Sequence, residues 1–240
     1  MGVFYESIPK SMFDWILAQK AFWVATAPLS GAGHVNVSPK GGQYFGVIDE
    51  RTFWYMDLSG SGCETISHLL EPGNGRITIM FNAFEGAPRI LRLWGYGRVL
   101  ENGTGGFSAF VDHHKVQTIP GTRTIIVVDI HQVGSSCGFS VPYYDFKDYR
   151  PILNDFFEKK EARFNAGKTE DSMDRYWAYK NAWSMDGLPG MRRGLDAAKT
   201  EGVAPIVKMV GPLAAKHSRN RQSVEVSYVM LIAVAAFILG

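Results

Sequence analysis

Between residues 21 and 130 the chain is a succession of short apolar or alternating runs, each closed by Gly, Pro or Asn-rich punctuation. Phe22–Thr26 ends at Pro28 and Ser30-Gly31-Ala32-Gly33. His34–Ser38 alternates, with Val35 and Val37 on one face and His34, Asn36 and Ser38 on the other, and stops at Pro39-Lys40-Gly41-Gly42. An Asp49-Glu50-Arg51 turn leads into the aromatic run Thr52–Met56. In Arg76–Phe81 the residues Ile77, Ile79 and Phe81 point inward. Ile90–Leu100 sends Leu91, Leu93 and Val99 one way and Arg92, Trp94, Tyr96 and Arg98 the other. Its Gly95 and Gly97 indicate strong bending or a close backbone neighbour. Arg123–Ile130 buries Ile126 and Val128. About six strands with short turns leave little room for crossover helices, so the expectation is an antiparallel barrel or sandwich, mainly β with flanking helices (α+β).

Helical periodicity frames this core. Ser7-Ile8-Pro9 opens an amphipathic helix running to about Lys20, with Met12, Trp15 and Ile16 on one side. Phe107–Val116 is another helix, and Asn102-Gly103-Thr104 reads as an Asn-Gly hairpin turn. From Tyr149 the chain is helical and charged, with candidates at Asp155–Arg163 and Asp171–Trp183. The expected layout is a barrel domain over 1–148, a helical extension over 149–194, a linker over 195–225 and an apolar C-terminal helix over 226–240. That last run carries no charge and follows Lys216, Arg219 and Arg221. It is short for a bilayer span. A helix apolar all round is buried or in lipid, which suggests a tail anchor on the cytoplasmic face of an internal membrane.

With a net charge of +2 and no dense Lys/Arg block, the chain is not built to bind nucleic acid. Cys63 and Cys137 make no metal spacing and read as free thiols in a reducing, cytoplasmic setting. There is no basic-then-apolar leader, and Glu6 rules out a myristoylation signal at Gly2. His113 and His114 are adjacent on a helix and do not share a face, so no metal site is expected. His68 reads as a helix-surface residue and Cys137 as a small buried one. No paired carboxylates or Ser-His-Asp set stands out, and no catalytic side chain is assigned.

The stretch with most chemical content is Leu58-Ser59-Gly60-Ser61-Gly62-Cys63-Glu64-Thr65, between the aromatic strand and a short helix ending at Leu70. A Gly/Ser loop that delivers N–H groups to a helix start can cradle an anion. Ser61 and Glu64, three apart, also match a capping box.

Five stretches, in order, resemble the pyridoxamine 5'-phosphate oxidase family: Phe22–Thr26, Val35–Gly41, Ser59–Thr65, Arg76–Phe81 and Pro88–Gly95. A branch of oxidase-like members also carries Ser136-Cys137-Gly138-Phe139-Ser140-Val141-Pro142 and the segment Asn181 to Pro189. The resemblance covers about residues 1–190. It implies the flavin-binding split-barrel fold and a homodimer holding FMN in a groove between two barrels. It further implies an oxidoreductase acting on a small molecule. By the same resemblance Ser38, Lys40, Ser59, Ser61 and Thr65 would hold the phosphate. Asn36, Arg92 and Trp94 would approach the flavin ring. The chain departs from the vitamin B6 oxidases at Cys63-Glu64-Thr65, where those enzymes carry a Ser-Arg-Lys cluster, and it lacks their terminal Arg-x-His motif. The loss of two cations and gain of a carboxylate places more weight on Lys40. A membrane-tethered module binding flavin, haem or deazaflavin without turnover is the alternative the fold allows.

Overall fold

The computed structural model describes residues 2–212 and 214. Its eight strands are β1 (Val3–Tyr5), β2 (Ala21–Thr26), β3 (Asn36–Gly41), β4 (Phe45–Asp49), β5 (Thr52–Leu58), β6 (Arg76–Asn82), β7 (Ile90–Glu101) and β8 (Thr122–Ser136). All pairings are antiparallel, in the order β3-β2-β6-β7-β8-β5-β4, with β1 added to the far end of β8. The helices are α1 (Phe13–Ala18), α2 (Glu64–Leu70), α3 (Gly105–His114), α4 (Ile152–Asn165), α5 (Met173–Lys180) and α6 (Arg192–Thr200).

The sheet is curled into a split barrel. Strands β2 and β4 are far apart in the pairing order, yet the rings of Phe22 and Phe45 lie 5.1 Å apart. Phe53 and Phe81 close the same aromatic core at 5.7 and 5.5 Å from Phe22. Around them Ile77, Ile79, Leu91, Leu93, Ile126 and Val128 are buried, the inward set that alternation indicates. Bending is localised in β7, where the pairing with β8 shifts between Trp94 and Gly95. A Cβ on Gly95 would stand 2.4 Å from the Asp129 carbonyl oxygen, so the close backbone neighbour inferred from glycine is real.

Several expectations change. The first helix is shorter, a 3₁₀ turn at Lys10–Met12 running into α1. Asn102-Gly103 does not close a hairpin: it turns β7 into α3, whose N-cap Thr104 accepts from the Phe107 N–H. Part of the expected linker is helical, because α6 packs its Gly194 against the backbone of Trp177 on α5, an approach only glycine permits. Strands β1 and β4, too short or too mixed to show periodicity, are additions. His68 is fully buried, its Nδ1 2.9 Å from the Thr26 hydroxyl, while Cys137 is exposed. No helix among the described residues is long and apolar enough to cross a membrane, and the apolar run at 226–240 lies outside them.

Candidate functional site

The seam of the barrel, where β3 faces β5 and β8 without pairing to them, is bridged by charge. Lys40 at the end of β3 donates to Asp57 Oδ1 on β5 at 2.8 Å. Arg123 at the start of β8 donates through Nε to Asp57 Oδ2, also at 2.8 Å. Asp57 is fully buried and Arg123 nearly so. Burial alone would raise the Asp57 carboxyl, but the Arg123 and Lys40 charges outweigh it and hold the pKa down at about 2. The same carboxylate overcomes desolvation to raise Arg123 above its ordinary value. Two cations share one carboxylate, which leaves net positive charge at the seam.

The Leu58–Thr65 loop lies over this bridge. Arg123 Nη1 donates to the Gly62 carbonyl at 2.6 Å, and Asn181 Nδ2 donates to the Gly60 carbonyl at 2.9 Å. Trp177 Nε1 donates to the Ser59 hydroxyl at 2.8 Å, and the Ser59 N–H donates to the Gly121 carbonyl. Gly121 (φ +85°) sits where a Cβ would meet the Phe157 ring at 2.5 Å, so a side chain there would displace α4. The loop carbonyls are thereby turned toward the protein, while the N–H groups of Gly60, Ser61 and Gly62 have no partner among the described residues. Carbonyls held inward and N–H groups left open give the loop the donor arrangement that suits an anion.

The capping box does not form. Cys63 is the N-cap of α2, without a side-chain cap bond, and Ser61 is exposed. Glu64 lines the cleft and folds back over Gly62; its carboxylate accepts from the Met185 N–H at 3.2 Å and lies 3.8 Å from Lys208 Nζ. The C-terminal segment thus supplies a donor and a cation to this carboxylate.

An open cleft of about 350 Å³ brings together Asn36, Ser38, Lys40, Ser59, Ser61 and Thr65, with Arg123 at its wall. Asn36 Nδ2 donates to Thr65 Oγ1 at 3.1 Å, tying β3 to the first turn of α2. Arg92 and Trp94 are placed elsewhere. Arg92 Nη1 reaches Ser136 on β8, and Trp94 stacks on Phe4 at 6.3 Å and lines a separate groove beside Tyr96. Sequence reasoning missed Asp57 and Arg123. Asp57 is the one charge on β5 and Arg123 stands at the start of β8, each next to an apolar run, and such charges are buried only when paired.

The fold is a split barrel, and at its seam an open N–H loop and two cations lie beside the polar face of β3, an arrangement whose chemistry can accept an anion. The chain belongs to the pyridoxamine 5'-phosphate oxidase family: it is 38% identical over 209 residues to the pyridoxamine 5'-phosphate oxidase family protein ustO of Aspergillus flavus, covering 81% of this chain and 80% of that relative. No family profile matches the chain. Similar solved structures include HupZ of Group A Streptococcus, at 19% identity and TM-score 0.39 over 52% of this chain and 91% of that one. The FAD binding protein from Mycobacterium smegmatis has 12% identity and TM-score 0.38, over 54% and 96% of the two chains. A Clostridium acetobutylicum protein related to general stress protein 26 has 14% identity and TM-score 0.35, over 54% and 91%. At those scores the family assignment rests on the fungal relative alone.

Proposed function

We propose that this protein binds a flavin nucleotide at the barrel seam and works as a flavin-dependent oxidoreductase on a small molecule. The observation that carries the reading is the Lys40–Asp57–Arg123 bridge beneath the open Gly60–Gly62 N–H groups. The residues present fit a phosphate: N–H donors and a hydroxyl from the loop, one ammonium, and one guanidinium already oriented by Asp57. FMN is the smallest flavin that satisfies this cradle.

Bound flavin would supply the redox chemistry, accepting and returning hydride or electrons. The chain's own residues would do the rest. Lys40 and Arg123 hold the phosphate, Ser61 and the loop N–H groups fix its orientation, and Asn36 and Ser38 present polar atoms along β3 toward the remainder of the cofactor. Arg92 and Trp94, outside the cleft of their own subunit, have a place in this scheme only across a dimer. Val35, just before β3, and Val37 on it are 72% and 61% exposed, and Val35 shares a groove of about 500 Å³ with Trp94 and Tyr96. An exposed apolar strip of this kind favours a second copy of the chain as partner, giving a homodimer.

The test is an absorbance spectrum of the purified protein, followed by titration with FMN and sedimentation analysis. Flavin bands, or saturable FMN uptake lost in Lys40→Ala, are expected from a dimeric species. A colourless protein that takes up no flavin would sink the reading, and haem bands would redirect it.

A further inference from the structure

We propose that His34, held by Asp186, is the proton-transfer residue of the seam site: its Nε2 takes the proton that a small alcohol or amine gives up on oxidation. This rests on the flavin reading above and extends it to a pair of residues outside the cradle. His34 Nδ1–H donates to Asp186 Oδ1 at 2.6 Å, and the His34 backbone N–H donates to Asp186 Oδ2 at 2.7 Å. Both carboxylate oxygens are thus committed to one residue. The Asp186 side chain is only 12% exposed, whereas the imidazole is 38% exposed and its Nε2 has no hydrogen bond among the described residues. A carboxylate that accepts from Nδ1 leaves the lone pair of the neutral ring on Nε2, where a proton can be taken up.

Local structure is shaped to hold this pair. Asp186 stands at the tip of a short hairpin, in which Trp183 bridges Pro189 and the Ser184 N–H donates to the Leu188 carbonyl. Opposite it, a Cβ on Gly33 would stand 3.1 Å from Asp186 Oδ2 and 2.4 Å from the Pro28 ring, so glycine opens the space that the carboxylate enters. Each arm is also tied to the seam cleft. Half-buried and exposed residues alternate without a break from His34 to Gly41, which puts His34 on the stripe of Asn36, Ser38 and Lys40. Asn36 is bonded to Thr65, and Met185, next to Asp186, donates to Glu64; Asn36, Thr65 and Glu64 all line the cleft. The stripe therefore begins at a proton acceptor and ends at a cation, roughly 20 Å apart at the usual rise of a strand. Oxidising an alcohol or amine to a carbonyl or imine breaks one C–H bond and one O–H or N–H bond. The C–H hydrogen leaves with its electron pair to the flavin, and His34 Nε2 takes the remaining proton. When dioxygen reoxidises the site, two electrons and one proton come from the reduced flavin, and His34 returns the second proton to complete hydrogen peroxide. Asp186 is a positioning residue, fixing the ring and its tautomer.

The experiment takes full-length protein loaded with FMN, photoreduces it and mixes it with dioxygen, a half-reaction that needs no substrate. Reoxidation should slow about a hundredfold in His34→Gln, with FMN affinity unchanged to show that the variant folds. Added imidazole should restore the rate in His34→Ala. Asp186→Asn keeps an acceptor for the backbone N–H but sets an amide donor against Nδ1, which moves the ring proton to Nε2. It should slow reoxidation as well, and nitrogen-resolved NMR spectra of the flavin-free protein should show the His34 proton on Nδ1 before the substitution and on Nε2 after it. A flavin-loaded His34→Gln variant that reoxidises at the original rate would overturn the proposal alone. So would slowing that imidazole fails to rescue, or a ring proton already on Nε2 in the unaltered protein, since the pair would then only tether the hairpin. Uptake of no FMN is a different result, and it removes the flavin reading together with this extension of it.

Discussion

Strands β3 and β7 each carry a polar stripe, and the two stripes face opposite sides of one sheet. On β7, a central strand, Leu91 and Leu93 fill the core and Arg92 and Trp94 point outward. At β3, an edge strand at the seam, the order is reversed: Val37, and Val35 just before the strand, are exposed while Asn36, Ser38 and Lys40 line the cleft. Alternation decides which residues share a face. Which face is interior depends on the strand's place in the sheet, and at a split barrel's seam the inner face is wet. The useful polar stripe is therefore the one whose apolar neighbours look wrongly exposed.

The largest expected effect lies at the seam. Arg123→Leu leaves Asp57 buried with only Lys40, and should cost about 3–5 kcal/mol in denaturant unfolding. Flavin uptake should be lost with it. Should uptake survive in Arg123→Leu, the inner stripe is not the phosphate site and the contrast between the two strands fails. Trp177→Phe comes next. It keeps most of the buried ring but strands the Ser59 hydroxyl, for about 1–3 kcal/mol and a weaker grip on phosphate as the loop loosens.

Acid should act on the inner stripe as well. Asp57 has a folded-state pKa of about 2 against an ordinary 3.8. Its folded value is depressed, so its contribution is complete above the unfolded pKa and disappears as pH falls toward 2. The difference corresponds to about 2 kcal/mol at neutral pH. Unfolding free energies of the cofactor-free protein measured from about pH 6 downward should show this loss. It should be smaller in Lys40→Met, whose Asp57 has lost one of the charges that hold it ionised. An unchanged acid profile in Lys40→Met would mean that Lys40 does not share the carboxylate in solution.

Much of this was legible from the residues. The barrel core followed from alternation in Ile77–Phe81 and Leu91–Leu93, and Gly95 gave away the bend of β7. The six seam residues from Asn36 to Thr65 gather in one cleft because a strand end and the following loop are local features. Asp57 and Arg123 were not legible together, being 66 residues apart and joined only by strand pairing. The hold of the C-terminal elements on the loop was equally hidden. Asn181 and Trp177 look like helix-end and helix-core residues until the fold sets them against Gly60 and Ser59. His68 was misjudged for a related reason: α2 is covered on the side that periodicity left open, and burial holds its pKa below the usual histidine value.

The smallest effect is expected on the outer stripe, and it sharpens the contrast best. Arg92 is half-buried, and among the described residues it makes one long side-chain bond, 3.4 Å from Nη1 to the Ser136 hydroxyl. Arg92→Ala should change unfolding free energy by no more than about 0.5 kcal/mol, the range for surface positions without a buried partner. Its effect on flavin should depend on assembly. If β3's exposed valines seat a second copy, Arg92→Ala weakens flavin binding in the dimer, whereas a monomeric Val37→Lys variant binds flavin equally with either residue at position 92. An Arg92→Ala variant that loses flavin in the monomer too would place the ring on the outer face and invert the assignment of the two strands.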